Sequence, residues 1–174
     1  ILSFPGFGGA HSSLELIDHS IVVTGSINRN RNLGVVRLSP QGDLITGFGE
    51  NGILEIDLGN SGDNSMGFSH VFPNNDGTLW VASSNGYQSG IPRSSHLHLI
   101  NNEGIVLSHK PVLLGDKARS DEMVRDDQGR FIRTAVDQND LVITRQFADG
   151  QVDESFGDSG ILRVVDVADT VAGS

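Results

Sequence analysis

Apolar residues in this chain come in short runs and not at helical spacing. Ile21-Val22-Val23-Thr24, Leu33 to Leu38, Ile53 to Leu58, Leu79 to Ala82, His96 to Ile100, Phe131 to Val136, Leu141 to Arg145 and Ile161 to Val167 are rich in β-branched side chains. Between them lie polar clusters such as Pro40-Gln41-Gly42-Asp43, Asn74-Asn75-Asp76-Gly77, Asn101-Asn102-Glu103-Gly104 and Ala148-Asp149-Gly150. Glycine in these clusters supplies the positive φ of tight hairpin turns. The pattern predicts an all-β chain built from hairpins.

The pattern also repeats. Phe48-Gly49-Glu50-Asn51-Gly52-Ile53-Leu54 returns as Phe156-Gly157-Asp158-Ser159-Gly160-Ile161-Leu162, and Arg37 and Gly42 return as Arg145 and Gly150, all at an offset of 108. A middle copy follows from other anchors. The segment from Asp18 to Gly25 aligns with Asp76 to Ser83, an offset of 58, and with Gln128 to Ala135 a further 52 on. Three units are expected, at about 5–58, 59–115 and 116–167, with Asn85 to Ser95 inserted in the middle one. Each holds about four strands: one before its first turn (Leu14 to Ile17, Ser69 to Phe72, Asp121 to Arg125), one after it, a third ending near Arg37 or Arg145, and a fourth after the Phe-Gly-x-x-Gly segment. Four antiparallel strands per unit is the pattern of a propeller blade. The expectation is therefore a single propeller-like domain or fragment over 1–174, with a β-sandwich or barrel as the alternative. Closed propellers take about four to eight blades, so three imply either a longer array or a homodimer.

Composition narrows the function. With 22 acidic and 12 scattered basic residues, the net charge of −10 argues against nucleic-acid binding. No apolar run approaches the ~18 residues of a membrane span, so no membrane insertion is expected. The absence of cysteine removes disulfides, zinc-thiolate sites and thiol nucleophiles together.

At Ile21 to Gly25, Val35-Val36-Arg37-Leu38, Pro40 to Leu44 and Phe48 to Gly52, the chain resembles the delta-60 repeat family, bacterial arrays predicted to form β-propellers. The likeness returns at Ile143-Thr144-Arg145, Asp149 to Asp153 and Ser155 to Gly160, while the middle unit has no Phe-Gly-x-x-Gly after His109. The resemblance implies a part of a large secreted or surface-attached bacterial protein and carries over no catalytic residue.

Candidate chemistry is sparse. Gly157-Asp158-Ser159-Gly160 is superficially similar to a serine-protease nucleophile segment, but Ser159 falls where the first unit has Asn51, which predicts a repeated turn. His96 and His98 stand two apart on a strand and share a face, a spacing able to ligate a metal; the competing expectation is polar residues facing outward from a half-exposed strand. Asp57 to Asn64 offers oxygen ligands without the spacing of a calcium loop, and Asp116, Asp121, Glu122, Asp126 and Asp127 read as a solvated acidic face. Trp80 aligns with Val22 and Ile132, so core packing is expected of it. Tyr87 and Arg93, in the inserted loop, are candidate ligand-binding residues together with His96 and His98. Arg37 and Arg145 are expected to make an ion pair or a carbonyl contact at a blade corner, and Phe48 and Phe156 to anchor the glycine-rich turn in a core.

The function expected is that of a non-catalytic binding or scaffold module, extracellular or on the bacterial surface, without cofactor, recognising a protein or carbohydrate through its loops. The alternative is an enzyme or metal-dependent site at a propeller axis, using His96, His98 and nearby carboxylates.

Overall fold

The computed structural model describes residues 6–59, 66–85, 95–112, 119–137 and 140–164. They form three four-stranded antiparallel sheets, with no helix among them. The chain divides into two compact units, Ile1–Pro111 and Val112–Ser174.

The first unit holds two sheets. One runs β1 (Phe7–Glu15), β2 (Ile21–Ile27), β3 (Asn32–Leu38), β4 (Ile53–Ile56), and the other β5 (Met66–Pro73), β6 (Leu79–Asn85), β7 (Ser95–Ile100), β8 (Val106–Pro111), each in sequence order. The second unit holds β9 (Arg119–Arg125), β10 (Phe131–Asp137), β11 (Asp140–Gln146) and β12 (Ile161–Val164), again as neighbours in order. Sequential neighbours joined by short turns are what hairpin chemistry produces.

The turns share one device. A side-chain oxygen accepts the backbone N–H two residues on, at the turn entrance for Asn101 (from Glu103) and Asp126 (from Gln128), and inside the turn for Asp18 (from Ser20), Asp76 (from Thr78) and Asp149 (from Gln151). This Asx geometry closes the turn without a partner from elsewhere. In three of these turns the next residue takes positive φ, Gly77, Gly150 and His19 at 62°; after Asn101 and Asp126 the positive φ falls three residues on, at Gly104 and Gly129.

Packing in the first unit follows from strand alternation. Val22, Leu33 and Val35 share a face of the first sheet with Leu14, Leu54 and Ile56. They meet Met66, Val71, Leu79, Val81 and Ile100 of the second sheet, and Phe48 enters the same cluster. Within this interface the Ser69 hydroxyl donates to Thr24 Oγ1 at 2.9 Å, satisfying two buried polar groups against each other. The first strands of the two sheets, β1 and β5, lie side by side. The second sheet is buried on its opposite face as well: Trp80, expected in a core, is 7% exposed there, and Ala82 is 0% exposed.

The Phe-Gly-x-x-Gly segment is a turn reproduced in backbone detail. It closes the long excursion between β3 and β4, and again that between β11 and β12. Gly49, Asn51 and Gly52 have φ of 59°, 53° and 90°; Gly157, Ser159 and Gly160 have 58°, 52° and 88°. A Cβ on Gly49 or Gly157 would run into the carbonyl oxygen of Ile53 or Ile161, so glycine is required at both. The middle sheet gains its fourth strand without this segment, because β8 follows directly from the tight turn at Asn101-Asn102-Glu103-Gly104.

Phe48 is fully buried, whereas Phe156 is only half-buried, a correction to the expectation that both anchor a core. Two sheets enclose Phe48. The Phe156 ring is instead covered by the Arg145 guanidinium, 4.6 Å from its centroid. Phe48→Ala should therefore cost about 3–5 kcal/mol in urea unfolding and Phe156→Ala less than about 2. Equal losses would contradict this assignment.

Candidate functional site

The second sheet brings three histidines together. His96 and His98 alternate onto one face of β7, and the antiparallel register sets His109 of β8 directly opposite His98. Ring centroids lie 4.3 Å apart for His96 and His109, 4.7 Å for His98 and His109, and 6.2 Å for His96 and His98. His98 Nδ1 shares a hydrogen bond with His109 Nδ1 at 3.1 Å, and its Nε2 shares one with Ser83 Oγ at 2.9 Å.

His98 does not face outward as the alternation rule predicts; it is 0% exposed. By register it sits opposite Val81, on the face that packs against the first sheet, while Leu97 on the other face is buried as well, so the sheet has no wet face for the histidines to take. Burial, reinforced by the neighbouring His109 and His96, pushes the His98 pKa down to about 3, and burial followed by His109 lowers that of His96. A neutral His98 thus links a serine hydroxyl to a second imidazole. The pair has the spacing of a hydroxyl and its base, but Ser83 and His98 are both fully buried, which denies a substrate any approach to the oxygen. Both ring nitrogens of His98 are engaged, and among the described residues no three His, Asp or Glu side chains are arranged to hold a metal ion. The trio therefore runs from the buried Ser83–His98 pair through half-buried His96 to His109, which is exposed on β8.

Other expected positions resolve differently. Tyr87 and Arg93 lie outside the described residues, as do Asp116 and most of the Asp57 to Asn64 run, of which Asp57 accepts the Gly59 N–H. Ser159 occupies the repeated turn described above, its hydroxyl donating to Asp158 at 3.2 Å. Asp126, expected on a solvated face, is instead 16% exposed at its side chain and paired with Arg130 at 2.8 Å. Arg130 also reaches Asp153, which Arg145 meets at 2.8 Å. Arg37 makes both contacts anticipated for it, an ion pair with Asp18 at 2.7 Å and a hydrogen bond to the Asn102 carbonyl at 3.3 Å. Hydrogen bonds from Ser20, helped by Arg37, hold the Asp18 carboxyl below its ordinary pKa.

Asp18, Arg37 and Asn102 line a cleft of about 510 Å³ that the sequence pattern did not reveal, at the turn ends of the two sheets of the first unit. Leu16, Ile17, Pro73 and Leu79 give it an apolar lining, and Glu15, Asp18, Arg37, Asn74, Asn75 and Asn102 give it polar groups. Ile17 is fully exposed there. The volume is that of a small-ligand site, and the mixture of aliphatic and amide groups suits neutral polar ligands or peptide side chains.

No protein-family model and no curated protein matches the chain. Among solved structures, a protein of unknown function from Dyadobacter fermentans DSM 18053 aligns at 15% identity with a TM-score of 0.49, over 86% of this chain and 50% of that one. The chain thus spans about half the length of that protein.

The histidine network makes stability depend on acid. The depressed pKa means that folded His98 stays neutral while the unfolded residue protonates below about pH 6.5. Its contribution is complete above that pH and falls away toward pH 3. Between pH 7 and pH 5 this group should remove about 2 kcal/mol of unfolding free energy, and His98→Gln should shrink the pH-dependent loss by that amount. A variant with the wild-type pH profile would refute the role.

Proposed function

We propose that the chain is a non-catalytic binding or scaffold module, a segment of a β-propeller of the delta-60 repeat kind, holding a protein or carbohydrate partner at the turn ends of its sheets. The observation that carries this reading is the packing of the first unit, where two four-stranded sheets lie face to face with their first strands adjacent, as neighbouring blades do. The matched backbone of the glycine turns at Gly49 to Gly52 and Gly157 to Gly160 supports a repeated blade. The cleft between the turn ends supports recognition: loops set on a rigid sheet pair are where binding residues concentrate. The secreted or cell-surface setting comes from the family resemblance.

Arrays of immobilised glycans and peptides would identify a ligand, and variants at the cleft would then locate its site. Ile17→Asp and Asn75→Lys, both at exposed positions, should weaken binding at least tenfold while leaving the circular dichroism spectrum unchanged. Binding that both variants preserve, or turnover of the bound ligand, would overturn the proposal.

A further inference from the structure

The turn that brings Asn102 to the cleft lines a second groove of the first unit, of about 840 Å³, with Glu103, Gly104 and Ile105. Gly49 to Asn51 and Ile53 to Glu55, from the glycine turn and β4, line it as well. The two turns are fastened to each other. The Gly49 N–H donates to the Glu103 carbonyl at 2.8 Å, and a Cβ on Gly104 would run into the Gly49 backbone. Ile53, Leu54 and Ile105 give the groove aliphatic surface, with Ile105 52% exposed. Its charges are all of one sign: Glu50, Glu55 and Glu103 line it, and no lysine, arginine or histidine does so among the described residues. Glu55 accepts from Asn32 Nδ2 at 2.6 Å, but Glu50 and Glu103 have no side-chain partner among the described residues. In the cleft, by contrast, Glu15 is met by His19 and Asp18 by Arg37, each at 2.7 Å.

We infer that this groove holds a lysine- or arginine-bearing segment of a protein partner, in extended conformation. Lys and Arg side chains combine an aliphatic stem with a cationic head, the complement of aliphatic surface beside unpaired carboxylates. Held on two turns that are bonded together, those carboxylates are preorganised for the head, and the net charge of −10 draws a basic partner toward them. The edge of the sheet favours a main chain over a free amine. β4 ends the first sheet, and both backbone bonds of Ile53 go to Glu50 and not to β3. Alternation turns the N–H and C=O of Glu55 the same way, toward the open edge, where an extended segment pairs.

Fluorescence anisotropy of a labelled hexa-arginine peptide with the full chain tests this. Binding is expected at an ionic strength of about 0.01 M and should be at least tenfold weaker at about 0.15 M, where the screening length is about 8 Å. In the complex the Glu55 amide should exchange more slowly with solvent. Glu50→Gln combined with Glu103→Gln should weaken binding at least tenfold. Asp127→Asn combined with Glu154→Gln removes the same charge from exposed positions of the second unit and should bind within twofold of the wild type. Ile105→Ser should weaken binding several-fold through the lost aliphatic contact, with the salt dependence unchanged. Ile17→Ser, which alters the cleft alone, should bind like the wild type, so the groove and the cleft stand or fall separately. No binding by the wild type at low ionic strength, equal losses in the two double variants, a Glu55 amide left unprotected in the complex, or a tenfold loss in Ile17→Ser would each overturn the inference.

Discussion

The structure rests on the burial of one aliphatic sheet face against the next sheet. A four-stranded antiparallel sheet of this length cannot hide both of its faces, and the chain has neither disulfides nor helices among its described residues to do so. In the first unit Val22, Leu33 and Val35 close on Val71, Leu79 and Val81, and Phe48 fills the remaining space. At about 25 cal/mol per Å² of apolar surface removed from water, this interface is the main source of stability for that unit. The Ser69 to Thr24 hydrogen bond fixes its registration at little energetic cost, since neither hydroxyl is left unpaired.

The remaining features serve that contact. Asx turns set β2 beside β1, β6 beside β5, β8 beside β7 and β10 beside β9, and the register then brings the aliphatic residues of neighbouring strands to one side. The glycine turn at Gly49 to Gly52 returns the chain to form β4 and carries Phe48 into the interface in the same stroke. Arg37, tied to Asp18, Ser20 and the Asn102 carbonyl, bridges the turn ends of both sheets across the mouth of the cleft. In the second unit the corresponding arginine, Arg145, is held by Asp153 and lies over Phe156. The same sequence element thus meets different surroundings and makes different contacts.

Much of this was legible beforehand, because the central strands have both β-branched runs and glycine-marked turns. The first strand of each sheet was less so. β1 reaches back to Phe7 through Gly8, Gly9, His11 and Ser12, residues with poor strand propensity that are ordered by pairing with β2. Ile17, expected at the end of that strand, lies in the turn beyond it. The histidine trio was half visible. The shared face of His96 and His98 follows from alternation, but His109 could be found only by counting the hairpin outward from the Asn101 turn, which sets it opposite His98. The burial of His98 depends on its face of the middle sheet being the one that packs on the first sheet, a tertiary fact with no local signature. The cleft is equally non-local, since its lining comes from four separate turns and strand ends.

Methyl-resolved nuclear Overhauser spectroscopy of the full chain addresses the central contact most directly. Cross-peaks are predicted between the methyls of Val22 or Val35 and those of Val71 or Val81, residues that belong to different sheets and touch only if the faces pack as described. A spectrum in which these valines show contacts solely within their own sheets would contradict the account.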